Sequence, residues 1–310
     1  MPHSEGSDRL RSLGGSDLKV SPLAFGLWRF VGADASVAAA KIHAALDCGI
    51  NFFDGAAVYG LDWGGSAFGE SEELLGQVLA REPALRARMV LATKFGIVPG
   101  VPYDSSAGAA IASCEASLKR LRVETIDLFQ VHRPDSLTHP QELAEALSAL
   151  RRQGKIREAG VSNYTARQTL VLQQYLDFDL VSHQPEFSAL HLDPVHDGVF
   201  EQCLSRNMSP MAWSPLGGGK LGLSLHDAHA ADPSGRLARI VAALDHVAGA
   251  HGVGRTVAAL AFVMRHPARP IPVIGTQSPH RMAEAMRAVS VTMTRAQWYA
   301  VAAAAGMPLP

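Results

Sequence analysis

The chain has 310 residues, 47% hydrophobic and 18% charged, enough apolar surface for one large core and too much for a disordered chain. Its formal net charge of -1 gives no electrostatic case for nucleic acid or an anionic membrane. No apolar run reaches the roughly 18 residues of a membrane span, and the polar start Met1 to Asp8 has no signal-peptide core. Cys48, Cys114 and Cys203 lie far apart, with no metal or redox spacing. The expectation is one domain over residues 1–310, cytoplasmic, with reduced thiols and a small-molecule partner. The sequence leaves the oligomeric state open.

Arg11–Ser21 holds two short runs around Leu13-Gly14-Gly15-Ser16-Asp17-Leu18, which predicts an N-terminal β-hairpin. Strands are then predicted at Leu23–Trp28, Ile50–Asp54, Met89–Lys94 and Ile126–His132, followed by Ile156–Ser162, Leu180–Gln184, Ser209–Trp213 and Ile271–Gly275. Helical patterns fill the gaps: Ser36–Cys48, Glu70–Leu79, Ala107–Leu121, Gln141–Gln153, Ala166–Tyr175, Asp197–Ser205, Thr256–Arg265 and Pro279–Ala288. In Gln141–Gln153, Leu143, Ala144, Leu147 and Leu150 recur at helical spacing with charge opposite. Gly217–Gly235 is predicted as a long Gly/His/Asp loop, with a second helix at Arg236–Ala250 and a last one at Thr294–Ala304, Thr294 being its N-cap. The loop contains His226, His229, Asp227 and Asp232; helix and loop polarity explains them, and no metal site is expected.

Strand–helix units repeated eight times in about 250 core residues predict an α/β chain folded as a (β/α)8 TIM barrel with an N-terminal β-hairpin and extra C-terminal helices. A doubly wound open sheet competes, but Gly26-Leu27-Trp28-Arg29-Phe30 after the first strand is no Gly-x-Gly-x-x-Gly turn. In a barrel of parallel strands, Asp54, Tyr59, Lys94 and His132 all lie just past the ends of successive apolar runs and converge on one rim. A carboxylate, a phenol, an ammonium and an imidazole gathered there can move a proton onto a carbonyl oxygen. A free phenol has a pKa of about 10, and a neighbouring ammonium lowers it by roughly 1–3 units, which suits Tyr59 as the acid. Asp54 holds Lys94 charged, and His132 reaches the carbonyl oxygen.

Asn51-Phe52-Phe53-Asp54 with Tyr59-Gly60, Gly69-Glu70-Ser71-Glu72, Lys94, His132-Arg133-Pro134-Asp135, Gly160-Val161-Ser162-Asn163 and Pro272-Val273-Ile274-Gly275 resembles the signature of the aldo-keto reductases in order and spacing. The resemblance runs from residue 14 to residue 298, and the tail Met293-Thr294-Arg295-Ala296-Gln297-Trp298 is similar to a bacterial YdhF-type oxidoreductase branch. It implies a barrel, a nicotinamide cofactor (usually NADPH) bound without a Rossmann domain, and reversible aldehyde or ketone reduction with Asp54, Tyr59, Lys94 and His132 as the catalytic tetrad.

By the same resemblance, Gly26, Leu27 and Trp28 at the end of the first strand face the cofactor, as does Asp54. Ser162, Asn163 and Gln184 have amide and hydroxyl groups suited to the nicotinamide carboxamide, and Trp213 has a face to stack on its ring. Ser214, Pro215, Leu216, Gly217, Gly218 and Lys220 are expected to wrap the pyrophosphate through accessible backbone N–H groups. Gly275, Thr276, Gln277, Arg281 and Glu284 are expected at the adenosine end. There Arg281, in a helix's first turn, grips a 2′-phosphate and Glu284 meets the adenine amine. Two departures weaken that reading: Gln277 stands where a basic contact is common, and Ala285 where an asparagine is. Trp28, Tyr59, Trp63, Phe95, His132 and Arg133, with Phe30, are candidates for the substrate pocket, Trp63 on a Gly-flanked loop that resembles a lid.

Two other classes fit parts of the pattern. Lys94 at a barrel strand end is also a Schiff-base nucleophile in principle, which would make the chain a lyase. An NADPH-binding, redox-sensing regulatory protein with little turnover is the second alternative.

Overall fold

A computed structural model describes residues 10–61 and 64–309. A short hairpin, β1 (Arg11–Ser12) and β2 (Lys19–Val20), comes first. The alternation then runs β3 (Ala24–Gly26), α1 (Ala35–Asp47), β4 (Phe52–Asp54), α2 (Glu70–Arg81) and β5 (Val90–Phe95). A second hairpin, β6 (Ile97–Val98) and β7 (Val101–Tyr103), precedes α3 (Ala107–Leu121), β8 (Ile126–Val131), α4 (Pro140–Arg152), β9 (Ile156–Ser162), α5 (Ala166–Tyr175) and β10 (Ser182–Gln184). The chain finishes with α6 (Val199–Ser205), β11 (Ser209–Ala212), α7 (Leu225–Ala231), α8 (Arg236–His251), α9 (Arg255–Met264), β12 (Ile271–Ile274), α10 (Pro279–Met286) and α11 (Arg295–Ala304).

Strands β3, β4, β5, β8, β9, β10, β11 and β12 are all parallel and close into a barrel through the β12–β3 pair. Closure rules out the open doubly wound sheet. The helices take the sequence patterns expected of them. Leu143, Ala144, Leu147 and Leu150 form the buried stripe of α4, and Thr294 caps α11 in a capping box with Gln297.

The barrel interior is a small separate core. Ala24, Phe52, Val90, Ala92, Leu128, Val181, Met211 and Ile271 meet Leu13, Leu18 and Val20 of the first hairpin there. The hairpin therefore plugs the end of the barrel where strands begin, and chemistry is left to the opposite rim. Gly14 makes the plug fit: its φ is +55° and a Cβ there would lie 2.4 Å from the Val181 carbonyl oxygen.

Two stretches differ from the sequence expectation. Gly217–Gly235 is not an open loop: it holds a 3-10 turn at Gly217–Gly222 and then α7. Ser224 caps α7 by accepting from Asp227 N, and Ala228 is its one buried residue, so the helix is too short and too polar to leave an apolar stripe in the sequence. The β6–β7 hairpin is absent from the sequence reading too; its strands are short and all three residues of the second are exposed, so no alternation marks them. No single helix of the described residues is long and apolar enough to cross a membrane.

Candidate active site

The site grows from the alternation of the barrel strands. Phe52, Ala92 and Leu128 point into the interior core, so the residues two further on, Asp54, Lys94 and Gln130, face the same way at the next level. His132 continues the series past the end of β8, its N–H held by Phe95 O at 2.9 Å. The intervening residues face the other way. Phe53, Leu91, Phe95 and Phe129 pack into the layer between barrel and helices.

Lys94 is buried to 0% exposure, and its three N–H donors are all accounted for. Nζ lies 2.7 Å from Asp54 Oδ2, 2.7 Å from Gly55 O and 3.4 Å from the Tyr59 hydroxyl. Asp54 Oδ1 accepts from Gln130 Nε2 at 3.3 Å and Gln184 Nε2 at 3.1 Å, and Gln130 Oε1 accepts from Ser182 Oγ at 3.2 Å. Burial pulls the Lys94 ammonium down, but Asp54 and Tyr59 together outweigh it and its pKa ends above the ordinary lysine value. The carboxylate is thus pinned and the ammonium charged.

Tyr59 is partly buried and meets His132 edge-on, ring centroids 5.9 Å apart. The phenol departs from the sequence expectation. Burial pushes its pKa above the ordinary tyrosine value; Lys94 and Arg133 oppose this without reversing it, because Asp54 adds to the upward push. His132 is held well below the ordinary histidine value by burial, with Lys94 and Arg133 adding to the effect. At neutral pH the rim therefore carries a protonated phenol beside a neutral imidazole.

Asn163 ties the next layer together from a left-handed backbone, φ 59°. Its Nδ2 donates to His132 O at 3.1 Å and to Ser162 Oγ at 2.8 Å, and its Oδ1 accepts from Trp213 Nε1 at 2.9 Å. Ser162 Oγ donates to Gln184 O at 2.9 Å. The Trp213 ring is half-buried and fixed at its polar end. From the sequence, the amide and hydroxyl groups of Ser162, Asn163 and Gln184 are assigned to the nicotinamide carboxamide. Here Gln184 Nε2 is engaged by Asp54 and both ends of Asn163 are engaged within the protein.

Gly26 ends β3, and a Cβ there would meet Val273 Cγ1 at 2.9 Å. Trp28 is 37% exposed at the rim, whereas the Leu27 side chain is buried and its carbonyl accepts from Ser71 Oγ at 2.9 Å. Ser214, Pro215 and Leu216 lead into the glycine run, where Gly218 and Gly219 have positive φ and open space beside them and Lys220 is exposed. Gly275, Thr276 and Gln277 follow β12, and Ser278 caps α10 by accepting from Arg281 N. Glu284 packs on Gly254, its Oε1 2.8 Å from where a Cβ would lie.

Two substrate-pocket candidates are corrected. Phe95 is 1% exposed and stacks on Phe129 with centroids 4.5 Å apart, outside the barrel wall; it follows Lys94 and so points to the opposite face. Phe30 is likewise fully buried against Phe25. Trp63 lies outside the described residues. The motif Gly69-Glu70-Ser71-Glu72 anchors the site's loop: Glu70 accepts from Gly32 N at 2.8 Å, and Glu72 binds Thr93 Oγ1 at 2.5 Å and Arg120 Nε at 2.7 Å. Gln130 and Ser182 are not among the residues the sequence motifs mark. Each lies two residues before a named one, His132 and Gln184, so strand periodicity marks them as inward polar groups.

A model of the aldo/keto reductase family matches residues 22–305. The chain is 48% identical over 303 residues to a 6-dehydroglucose reductase of Novosphingobium aromaticivorans, covering 97% of each. It is 37% identical to a 6-dehydroglucose reductase of Agrobacterium fabrum over 91% of this chain and 93% of that one. Oxidoreductase YdhF of Escherichia coli is 34% identical over 92% of this chain and 93% of its own. With its closed parallel barrel and this match from end to end, the chain belongs to the aldo/keto reductase family of oxidoreductases.

Proposed function

We propose that this chain reversibly reduces an aldehyde or ketone with NADPH, and that its substrate is an oxygen-rich carbonyl compound of the 6-dehydroglucose kind. The observation that carries the reading is Lys94 Nζ set between Asp54 Oδ2 at 2.7 Å and the Tyr59 hydroxyl at 3.4 Å, with the His132 ring against Tyr59. The bound nicotinamide supplies the hydride. The protein supplies the proton. Tyr59 donates its hydroxyl proton to the oxygen that becomes negative as the carbonyl carbon is reduced, and Lys94 stabilises the phenolate left behind. Asp54 keeps Lys94 charged. His132, neutral, offers a ring N–H to the same oxygen and fixes the carbonyl's direction.

Fit to the cofactor is supported by groups that lack partners within the protein. Both amide atoms of Gln277 are buried without a hydrogen bond among the described residues. That is costly unless a ligand satisfies them. The Arg281 guanidinium is exposed near the start of α10 and makes no ion pair with a described residue. Arg281, Gln277 and Glu284 would hold the adenosine end, the Ser214–Lys220 turn the pyrophosphate, and Trp213 the nicotinamide ring. The Schiff-base alternative fits poorly, because a charged ammonium with three engaged donors is no nucleophile.

The test is NADPH oxidation with 6-dehydroglucose and with simple aldehydes, followed by absorbance. Turnover that Tyr59→Phe lowers by at least ~10²-fold is expected. Tight NADPH binding without turnover on any carbonyl would favour the regulatory alternative, and a borohydride-trapped adduct on Lys94 the lyase.

A further inference from the structure

Arg133 stands directly after His132, at the rim, and its guanidinium lies over the Trp213 ring, 5.7 Å from the centroid. Trp213 is itself held by Asn163 Oδ1 at 2.9 Å, and Asn163 Nδ2 holds His132 O at 3.1 Å. A closed circuit, His132 to Arg133 to Trp213 to Asn163 and back to His132, therefore fixes the guanidinium beside the reacting centre. Its charge is felt there, since it acts against protonation of His132 and against the upward push on Tyr59.

The charge is not balanced locally. Lys94 has Asp54, but Arg133 has no hydrogen bond or ion pair with any described residue, although other arginines of the chain such as Arg86, Arg120 and Arg157 do. Asp135, the nearest carboxylate in sequence, is occupied by Ser105 N, Leu137 N and Thr138 Oγ1 at 2.7–2.9 Å. A partly buried guanidinium with five fixed donors and no acceptor is a ready site for oxygen atoms.

Resting on the reductase reading, we propose that Arg133 is a specificity residue that binds an oxygen substituent of the substrate close to its carbonyl, so that hydroxylated or carboxylated carbonyl compounds are preferred over hydrocarbon ones. The aromatic face of Trp213 keeps the cation from turning away. The shared chemistry is an oxygen acceptor, neutral or anionic, and two substrate pairs separate the sources. Glyceraldehyde against propanal isolates neutral hydroxyls; 4-oxobutanoate against butanal isolates a carboxylate.

The experiment is steady-state kinetics with NADPH on both pairs for the wild type, Arg133→Met and Arg133→Lys. The wild type should prefer the oxygenated member of at least one pair. Arg133→Met should reduce that preference about 10-fold or more, chiefly through KM, the scale of a lost charge-assisted hydrogen bond. Arg133→Lys should restore part of it if the carboxylate pair carries the effect and little if the hydroxyl pair does, because lysine lacks the planar fork. Equal losses on both members of each pair, or an unchanged ratio, would overturn the inference and leave the reductase reading standing. A wild type that oxidises no NADPH with any of the four would overturn both.

Discussion

Lys94 grips Asp54 more closely than it does Tyr59: its Nζ lies 2.7 Å from the carboxylate oxygen and 3.4 Å from the phenol. The ammonium is thus spent first on a carboxylate that is itself pinned by Gln130 and Gln184. The phenol is left protonated, its pKa above the ordinary value through burial. For reduction the phenol must start protonated; for alcohol oxidation it must start as phenolate. Reduction should be nearly flat between about pH 6 and 9, and oxidation should rise with pH across the same span. Initial rates in both directions across that range check it. A reduction rate that falls away through neutral pH would mean a phenol of lowered, not raised, pKa.

Tyr59→Phe removes the proton and leaves the ring against His132. Carbonyl reduction should fall by at least ~10²-fold, the usual scale for a lost general acid, with cofactor affinity unchanged. Single-turnover absorbance and a binding titration on the same protein separate the two effects. Retained turnover would put the acid elsewhere.

The Asp54–Lys94 pair also governs stability, and its two halves are not equal. The side chains are 3% and 0% exposed. Asp54→Asn leaves a buried ammonium without its anion and should cost roughly 3–5 kcal/mol. Lys94→Met leaves a carboxylate that keeps two amide donors, and should cost only about 1–3 kcal/mol. The double variant should be less destabilised than the two losses added, because neither charge is stranded. Urea unfolding of the four proteins measures all three quantities. Additive losses would show that the pair is not coupled.

His183 gives a pH signature away from the chemistry. It lies on β10, fully buried, with Nε2 bonded to Tyr164 O at 3.0 Å and a pKa lowered to about 4 by burial. The folded value lies below the unfolded one, so its neutral form stabilises the fold fully above the unfolded value of about 6.5 and that contribution is lost as pH falls toward 4. Between pH 7 and pH 5 this one group should remove roughly 2 kcal/mol of stability. His183→Gln, which cannot titrate, should show a shallower loss over the same interval in urea unfolding. An identical pH dependence in the two proteins would mean that His183 is already protonated or unfolded-like near neutrality.

The barrel and its rim were legible because period-2 alternation places Asp54 and Lys94 two residues, and His132 four residues, beyond apolar ones that face inward. The same rule, applied strictly, also separates Phe95 from Lys94 and brings in Gln130 and Ser182, which carry no recognisable motif of their own. What a sequence does not display is burial of a particular atom. The direction of the Tyr59 shift depends on how much water its hydroxyl has lost against how near Lys94 comes, and Gln184's commitment to Asp54 depends on barrel register. Helix α7 was hidden for another reason. A helix with one buried residue, Ala228, has no periodic face, and only the Ser224 cap announces it.

Cofactor choice follows from the far end of the site. Arg281 has an exposed guanidinium with no partner among the described residues, in the first turn of an eight-residue helix whose N-cap is Ser278. Four residues before it, Gln277 is neutral, and both of its amide atoms are buried without partners. One charged contact to a 2′-phosphate is worth about 1.5–3 kcal/mol, or roughly 10- to 150-fold in affinity. Gln277 can add neutral hydrogen bonds, which a ribose hydroxyl and a phosphate accept alike, so it should not discriminate. NADPH should therefore bind more tightly than NADH by a factor within that range. Arg281→Ala should erase the difference by weakening NADPH alone, while Gln277→Ala should weaken both cofactors together. Quenching of tryptophan fluorescence, titrated with each cofactor against the three proteins, reads every term. A wild type that prefers NADH, or an Arg281→Ala variant that loses both cofactors equally, would show that Arg281 does not read the phosphate.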